Sequence, residues 1–310
     1  MIQKIKTKGR EEWLALRDGY IGGSEAGAVV GLNHFVSPWS LWAEKTGAIP
    51  RFEGNLATEV GTYMEDFVAK KFVRETGKKV KRCNFSMVND KYPWAIANID
   101  REVVGEDAGL EIKTTSELNM RNFKTGEYPE QYYAQCVHYL AVTGKARWYL
   151  AVLIGNREFR IFEIERDEAE IKALMDAEQA FWNDYVKTGT PPPADGTTAT
   201  TDAMASMYSQ GDEEIQVDIT GLEEVLQNYQ ELSDSIKQLE EAKKACANQI
   251  KAALGEATEG VSSGFRVTWS NELRKRLDSK KLAAAHPELN LSDFYEISNT
   301  RVFRVKEKER

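Results

Sequence analysis

Residues 96–115 read IANIDREVVGEDAGLEIKTT. An apolar run ends at Asp100, a polar turn follows, and Glu111 and Lys113 then flank Ile112. Alternation along an extended strand puts Glu111 and Lys113 on one face and points Ile112 the other way, into a core. If the run before Asp100 and the GLEIKT run pair as a hairpin around VVGEDAG, two carboxylates and an ammonium converge. Such a trio suits phosphodiester cleavage. Carboxylate oxygens hold a hard divalent cation, and the ammonium orients water or offsets charge developing at phosphorus. A solvated Glu/Lys pair on an edge strand would show the same E-x-K letters, and a lone E-x-K usually means that. Asp100 at a strand end shortly before it shifts the balance towards a site.

Around this stretch the pattern is mixed. KVKRCNFSMVN, PWAIANID, GLEIKTT, RWYLAVLIG and EFRIFEIER are rich in β-branched and aromatic residues between turns, and read as strands. SEAGAVVGL and SPWSLWAEKTG read as short helices, with Ser24 and Ser37 as caps, Pro38 in a first turn and Gly47 as a stop. In the longer helix ATEVGTYMEDFVAKKFVRETG, Val60, Met64, Phe67, Val68, Phe72 and Val73 share one face. PEQYYAQCVHYLAVTG and RDEAEIKALMDAEQAFWNDYVKTG keep helical spacing. The economical fold is α/β (α+β): a mixed central sheet of about five strands flanked by helices.

The composition narrows the chemistry. Seven Trp, twelve Tyr and twelve Phe in 310 residues can fill a large core. No stretch reaches the roughly 20 apolar residues of a membrane span. The N-terminal MIQKIKTKGREEW lacks the apolar segment of a signal peptide, so a soluble, cytoplasmic chain is expected. Cys83, Cys136 and Cys246 stand far apart, as do His34, His138 and His286. Neither set has zinc-ligand spacing, and three cysteines are too few for a four-thiolate iron–sulfur cluster. Metal chemistry is left to carboxylates. The net charge of −8 does not exclude nucleic acid, because residues 1–190 hold 26 basic against 28 acidic side chains.

The D…E-x-K arrangement resembles that of the PD-(D/E)xK nucleases. The other blocks are similar to their lambda-exonuclease-like, YqaJ-type viral recombinase branch. WLALRDGYIGGSEAGAVVGLNHFVSPWSLWAEKTG resembles that branch's N-terminal signature, EVGTYMED its acidic helix, LEIKT its catalytic strand, and YYAQCVHYLAVTG the helix after it. Order and spacing agree across about residues 11–187. One departure is Ile99, where the family usually has proline before the aspartate.

The resemblance implies a restriction-endonuclease-like core and a role for each matching residue. Asp100, Glu111 and the Ile112 carbonyl would hold Mg²⁺, with Mn²⁺ as a substitute, and Glu65 would complete the acidic cluster. Lys113 would be the catalytic lysine, Gln135 would lie near the metal waters and Tyr132 towards DNA. Arg17 and Ser24 match residues that bind a DNA 5′-phosphate, Asn98 stands where that pocket often has serine, and Arg121 is a displaced match for a further arginine. Taken without the resemblance, Glu65 reads as a surface glutamate, Tyr132 and Gln135 as a polar helix edge, and Ser24 as a simple cap. The activity implied is 5′→3′ resection of linear double-stranded DNA ends for phage-type recombination. A ring-shaped homo-oligomer, such as a trimer, a RecT-type annealing partner and a phage or prophage origin in a bacterial host go with it. A structure-specific or restriction-like endonuclease would use the same metal site, and a scaffold that had lost activity would keep the same fold.

These readings divide the chain into a nuclease domain (residues 1–187), an exposed linker (188–214) and a C-terminal region (215–310). The linker call rests on TGTPPPADGTTATTDAMASMYSQGDEE, rich in Pro, Gly, Thr and Ser. Beyond it Leu222, Val225, Tyr229, Leu232, Ile236 and Leu239 alternate three and four apart, and Cys246, Ile250 and Ala253 extend the series past Lys243. That stripe is either a coiled-coil-like arm or an amphipathic helix packed on its own domain. GFRVTWS and DFYEISNTRVFRVK read as strands enclosing the basic RKRLDSKK.

Overall fold

The computed structural model describes residues 1–123, 126–296 and 301–306. It divides into two units, Met1–Ser209 and Gln210–Arg310.

The first unit contains two sheets. One runs in the order β1 (Ile2–Ile5), β4 (Ser86–Asn89), β5 (Tyr92–Ala97), β2 (Ile21–Gly22). Its partners are antiparallel except β2, which joins β5 in parallel. The other runs β3 (Val80–Arg82), β6 (Arg101–Val103), β7 (Ala108–Thr115), β8 (Arg147–Ile154), β9 (Glu158–Glu165). Here β7 and β8 are parallel, joined through helix α5 (Glu130–Thr143), and the remaining pairs are antiparallel. This sheet is mixed and five-stranded, as expected, but β6 was not among the expected strands. The apolar run before Asp100 does not belong to it. β5 ends at Ala97, and the chain changes sheets across residues 98–100 before entering β6.

Strand β7 is buried on both faces, which is why it can carry charge only where that charge is partnered. Ala108, Leu110 and Ile112 pack with Val68, Ala69 and Phe72 of α4 (Leu56–Thr76). Gly109 and Glu111 face the other way, where the second core of the unit includes α5 and Trp148. Gly109 is required there, because a Cβ would stand 2.3 Å from the Trp148 ring. The apolar face expected along α4 enters the core only from Val68 onwards; Val60 and Phe67 are 46% and 47% exposed.

Helix α1 spans Arg10–Asp18, α2 Gly23–Val29 and α3 Pro38–Lys45. Ser37 caps α3 by accepting from the Ser40 amide at 3.0 Å, ahead of Pro38. Ser24 is not a cap. Gly22 holds that position in α2, and the Glu25 carboxylate accepts from its amide at 2.8 Å. After β9 comes α6 (Glu168–Ala180), which continues as a wider turn over Phe181–Val186.

The sequence reading makes residues 188–214 an exposed linker, and part of that segment is a helix instead. α7 (Thr198–Met207) docks on α3: Thr200 is buried and donates to Ser37 Oγ at 2.7 Å, and Ala203 enters the core. Threonine and alanine carry no apolar periodicity, so the docking face leaves no mark in the sequence pattern.

In the second unit α8 (Glu223–Leu254) runs for 32 residues with none of them buried. A hairpin of β10 (Glu259–Val261) and β11 (Arg266–Thr268) follows, and α9 (Ser279–Ala285) lies beyond it. The strand expected in DFYEISNTRVFRVK is not found among the described residues. Leu291–Phe294 is a 3₁₀ turn and residues 301–306 form no strand, while residues 297–300 lie outside the described residues.

Candidate active site

Leaving one sheet for the other frees the backbone at 98–100 from a ladder, and its side chains find partners of their own. Asn98 Oδ1 accepts from Trp13 Nε1 at 3.0 Å and from Ser86 Oγ at 2.6 Å. Asp100 Oδ2 accepts from the Ile112 amide at 2.7 Å, which pins the crossover to β7. From β7 itself Glu111 projects, 3% exposed. Its Oε1 accepts from Gln135 Nε2 at 2.6 Å and pairs with Lys113 Nζ at 2.7 Å. Gln135 Nε2 also reaches the Tyr139 hydroxyl at 3.0 Å, and that hydroxyl donates to the Asn98 carbonyl at 2.9 Å. Lys113 lies 5.2 Å from the centre of the Tyr132 ring.

Burial, and then the neighbouring Glu111, push the Asp100 carboxyl up to about 8, with Lys113 opposing. Burial disfavours the Lys113 ammonium, but Glu111 and Asp100 outweigh it and hold the amine protonated well above the usual lysine range. Lys113 is therefore a fixed cation rather than a base. Glu65 lies on the same cleft, its pKa raised by burial and by Asp100. It pairs at 3.7 Å with the buried Arg101, which also binds Asp66 at 2.6 Å and its own neighbour's carbonyl, Asp100 O, at 2.7 Å.

Glu111 Oε2 is buried with no hydrogen-bond partner among the described residues. Among the described residues no three carboxylate, imidazole or thiol groups form a ready-made metal cluster, and Glu65 is paired with Arg101. An orphaned buried carboxylate oxygen beside a carboxyl that burial keeps from ionising is a donor set that fits a hard divalent cation.

At the other end of the same cleft stands Arg17, at the end of α1. Its Nη2 donates at 3.1 Å to both Ser24 Oγ and Glu25 Oε1, and its Nε is buried without a partner among the described residues. Glu25 is fixed in turn by Lys45 at 2.8 Å, whose ammonium also donates to the carbonyls of Arg17 and Tyr20. Burial would raise the Glu25 pKa, yet Lys45 and Arg17 keep it below the usual glutamate value. Gly23 closes this corner: a Cβ there would stand 2.4 Å from the Tyr139 ring. The cleft measures about 490 Å³, and Arg17, Ser24, Asn98, Asp100, Glu111 and Gln135 all line it.

The sequence reading singles out Tyr132 and Arg121 as well. Tyr132 reaches the site only through Lys113, stacking on Phe123 behind it. Arg121, exposed in the turn Glu117–Asn122, does not line the cleft. Glu25, Lys45, Arg101, Trp13 and Tyr139 escaped the sequence reading. The one local sign among them was the capping-box spacing of Gly22 and Glu25.

A mixed sheet flanked by helices, with D…E-x-K at its centre, is a restriction-endonuclease-like α/β core. Residues 12–146 match the YqaJ-like viral recombinase domain. Over 293 residues the chain is 37% identical to the uncharacterized protein YqaJ of Bacillus subtilis (strain 168), spanning 93% of this chain and 92% of that one. The chain belongs to the YqaJ-like viral recombinase family. Its fold is also similar to that of LHK-Exo, an alkaline exonuclease from Laribacter hongkongensis, in complex with dAMP: TM-score 0.50, 23% identity, 58% of this chain and 94% of that one. A phage related exonuclease from Haemophilus somnus 129PT scores 0.44 at 14% identity, over 55% and 96% of the two chains.

Proposed function

We propose that this protein is a divalent-metal-dependent exonuclease that degrades one strand of linear double-stranded DNA from its 5′-phosphorylated end, in the service of recombination. One observation carries the reading: a single cleft joins an arginine–serine anion corner to the carboxylates Asp100 and Glu111, the second of which pairs with Lys113 at 2.7 Å. The family's description as a viral recombinase, and the fold relative's as an alkaline exonuclease, accord with it.

Asp100, Glu111, the Ile112 carbonyl and Glu65 would hold the cation, which when bound neutralises carboxylate and phosphate charge and acidifies water. The rest is the work of this chain. Arg17 and Ser24 bind the terminal phosphate through charge-assisted hydrogen bonds and so fix which phosphodiester reaches the carboxylates. Gln135 holds Glu111 in one rotamer, and Tyr139 ties that arrangement to the crossover at Asn98. Lys113 keeps its proton and offsets charge developing on the phosphoryl oxygens. Because an anion site at one end of the cleft recognises a terminus, exonuclease action is favoured over internal cleavage. Mg²⁺ as the native cation, a ring-shaped oligomer and a RecT-type annealing partner belong to this proposal through the family resemblance.

The test is digestion of linear duplex DNA, labelled at one 5′ end and either phosphorylated or not, with Mg²⁺ or with EDTA, beside a covalently closed circle. Release of 5′-terminal nucleotides from the phosphorylated linear duplex alone, and only with Mg²⁺, is the expected result. Cutting of the closed circle would make the protein an endonuclease, and no hydrolysis with any divalent cation would make it a scaffold.

A further inference from the structure

Among the described residues nothing buries the seam of α8. Leu232, Ile236 and Leu239 are 63%, 57% and 70% exposed, and no residue of the helix is buried. Within its unit, the seam residue Tyr229 meets Phe303 edge-on at 5.7 Å but stays 45% exposed. A helix of this composition standing alone in water is marginal, so the stripe calls for a partner.

We propose that α8 pairs with α8 of a second copy of this chain, parallel and in register, as a two-stranded coiled coil. The three-and-four spacing holds for ten successive positions from Leu222 to Ala253. The positions flanking that seam carry one charge, Glu240; their other occupants include Asn228, Ser233, Ser235 and Gln249. Charged residues such as Glu231, Asp234, Lys237 and Glu241 fall on the outer face instead. Parallel pairing sets Glu240 against Ser235 of the other copy, so no like charges meet between the flanking positions. Ile236 and Ile250 at one set of seam positions, with Leu232 and Leu239 at the other, is the combination that favours two strands.

Register follows from the seam itself. Lys243 interrupts the apolar series once. In parallel register it meets only its own copy at the edge of a two-stranded core, where a single lysine fixes register and strand number at some cost in stability. An antiparallel arrangement would set that ammonium against the leucines and isoleucine of the other half. Parallel register also brings the exposed Cys246, a seam residue, opposite Cys246 of the second copy.

The proposal is independent of the nuclease reading, and its test reads mass rather than activity. Light scattering of the full-length protein is compared with that of Ile236→Asp. Ile236 is exposed in the single chain, so the substitution removes nothing from its own fold, and circular dichroism checks the helix content. The particle mass is expected to halve, towards the 35.0 kDa chain if no other contact operates. A short bis-maleimide should link two chains of the unmodified protein and none of Cys246→Ser. A single-chain mass for the unmodified protein at its highest soluble concentration would overturn pairing, as would an assembly whose mass Ile236→Asp leaves unchanged. Halving without the Cys246 link would overturn the parallel register.

Discussion

The two units of this chain treat burial in opposite ways. In Met1–Ser209 charge goes inside: Glu111, Arg101, Glu178 and His138 are all buried, each with a named partner. In Gln210–Arg310 apolar side chains stay outside, along the whole of α8. A unit that closes its own core can spend part of it on desolvated carboxylates, whose chemistry depends on exclusion from water. A unit that closes no core has apolar surface left over, and its stability is tied to whatever covers that surface. The buried charges named above lie in the first unit and the exposed apolar seam in the second.

The sharpest way to break this contrast is to remove charge from the first unit. Glu111→Gln and Asp100→Asn are each expected to lower DNA hydrolysis by about 10³-fold while leaving DNA retention in a gel-shift assay intact. Near-normal hydrolysis by either variant would move the chemistry elsewhere. A smaller effect is expected at the anion corner. Arg17→Ala should cut the preference for 5′-phosphorylated over 5′-hydroxyl ends by about 10–100-fold, the worth of one charged hydrogen bond. Equal rates on both ends by the unmodified protein would dissolve that corner's role.

Truncation sharpens the boundary. A chain ending at Ser209 should still hydrolyse linear DNA, whereas one ending at Gly189 also loses α7 and leaves Ser37 without Thr200. The shorter chain is expected to be less stable by about 1–3 kcal/mol, read by urea denaturation. A folded Ser209 chain without hydrolysis at any concentration would give the second unit a part in the chemistry.

The smallest effect concerns the His138–Glu178 pair, which lies 2.8 Å apart, with the other ring nitrogen 3.0 Å from the Ile96 carbonyl. Burial opposes the imidazolium, but Glu178 outweighs it and raises the His138 pKa, while burial raises that of Glu178. Both shifts have the same sign for stability. Each folded group holds its proton more tightly than the unfolded one, so the protein loses stability as pH rises through the folded value. Between pH 6 and 8 the Tm should fall by about 2–4 °C, the shift from about 1 kcal/mol in a domain of this size. His138→Gln should flatten part of that slope, the raised Asp100 carboxyl supplying the remainder with the same sign, and an equally steep slope in the variant would exclude the pair as a source.

What could be read beforehand follows the range of each interaction. The period-two alternation of GLEIKT is local, so Glu111 and Lys113 on one face and Ile112 on the other were legible. A mixed sheet, with β7, β8 and β9 among its strands, followed from the same alternation and the helical blocks between, whereas β6 did not. Gln135 and Asn98 were legible only through the family's blocks, because nothing in a helix edge announces a contact 24 residues away such as Gln135 with Glu111. The supports of the site were not legible at all. Trp13 reaches Asn98 across 85 residues and Lys45 reaches Tyr20 across 25. The sheet β1–β4–β5–β2 was missed because PWAIANID reads as one strand running to Asp100, and only tertiary pairing shows where it ends. α7 was missed because small residues dock without a periodic stripe.

The bond from the Ile112 amide to Asp100 has a use outside chemistry. An amide proton reports the charge on its acceptor, so the ¹H–¹⁵N resonance of Ile112 is an internal gauge of the carboxylate 2.7 Å away. Titration of Asp100, arrival of a cation or slippage of one sheet against the other would each move that single peak. The site can thus be watched by NMR of the ¹⁵N-labelled protein without substrate or turnover, through a residue whose side chain plays no part in it.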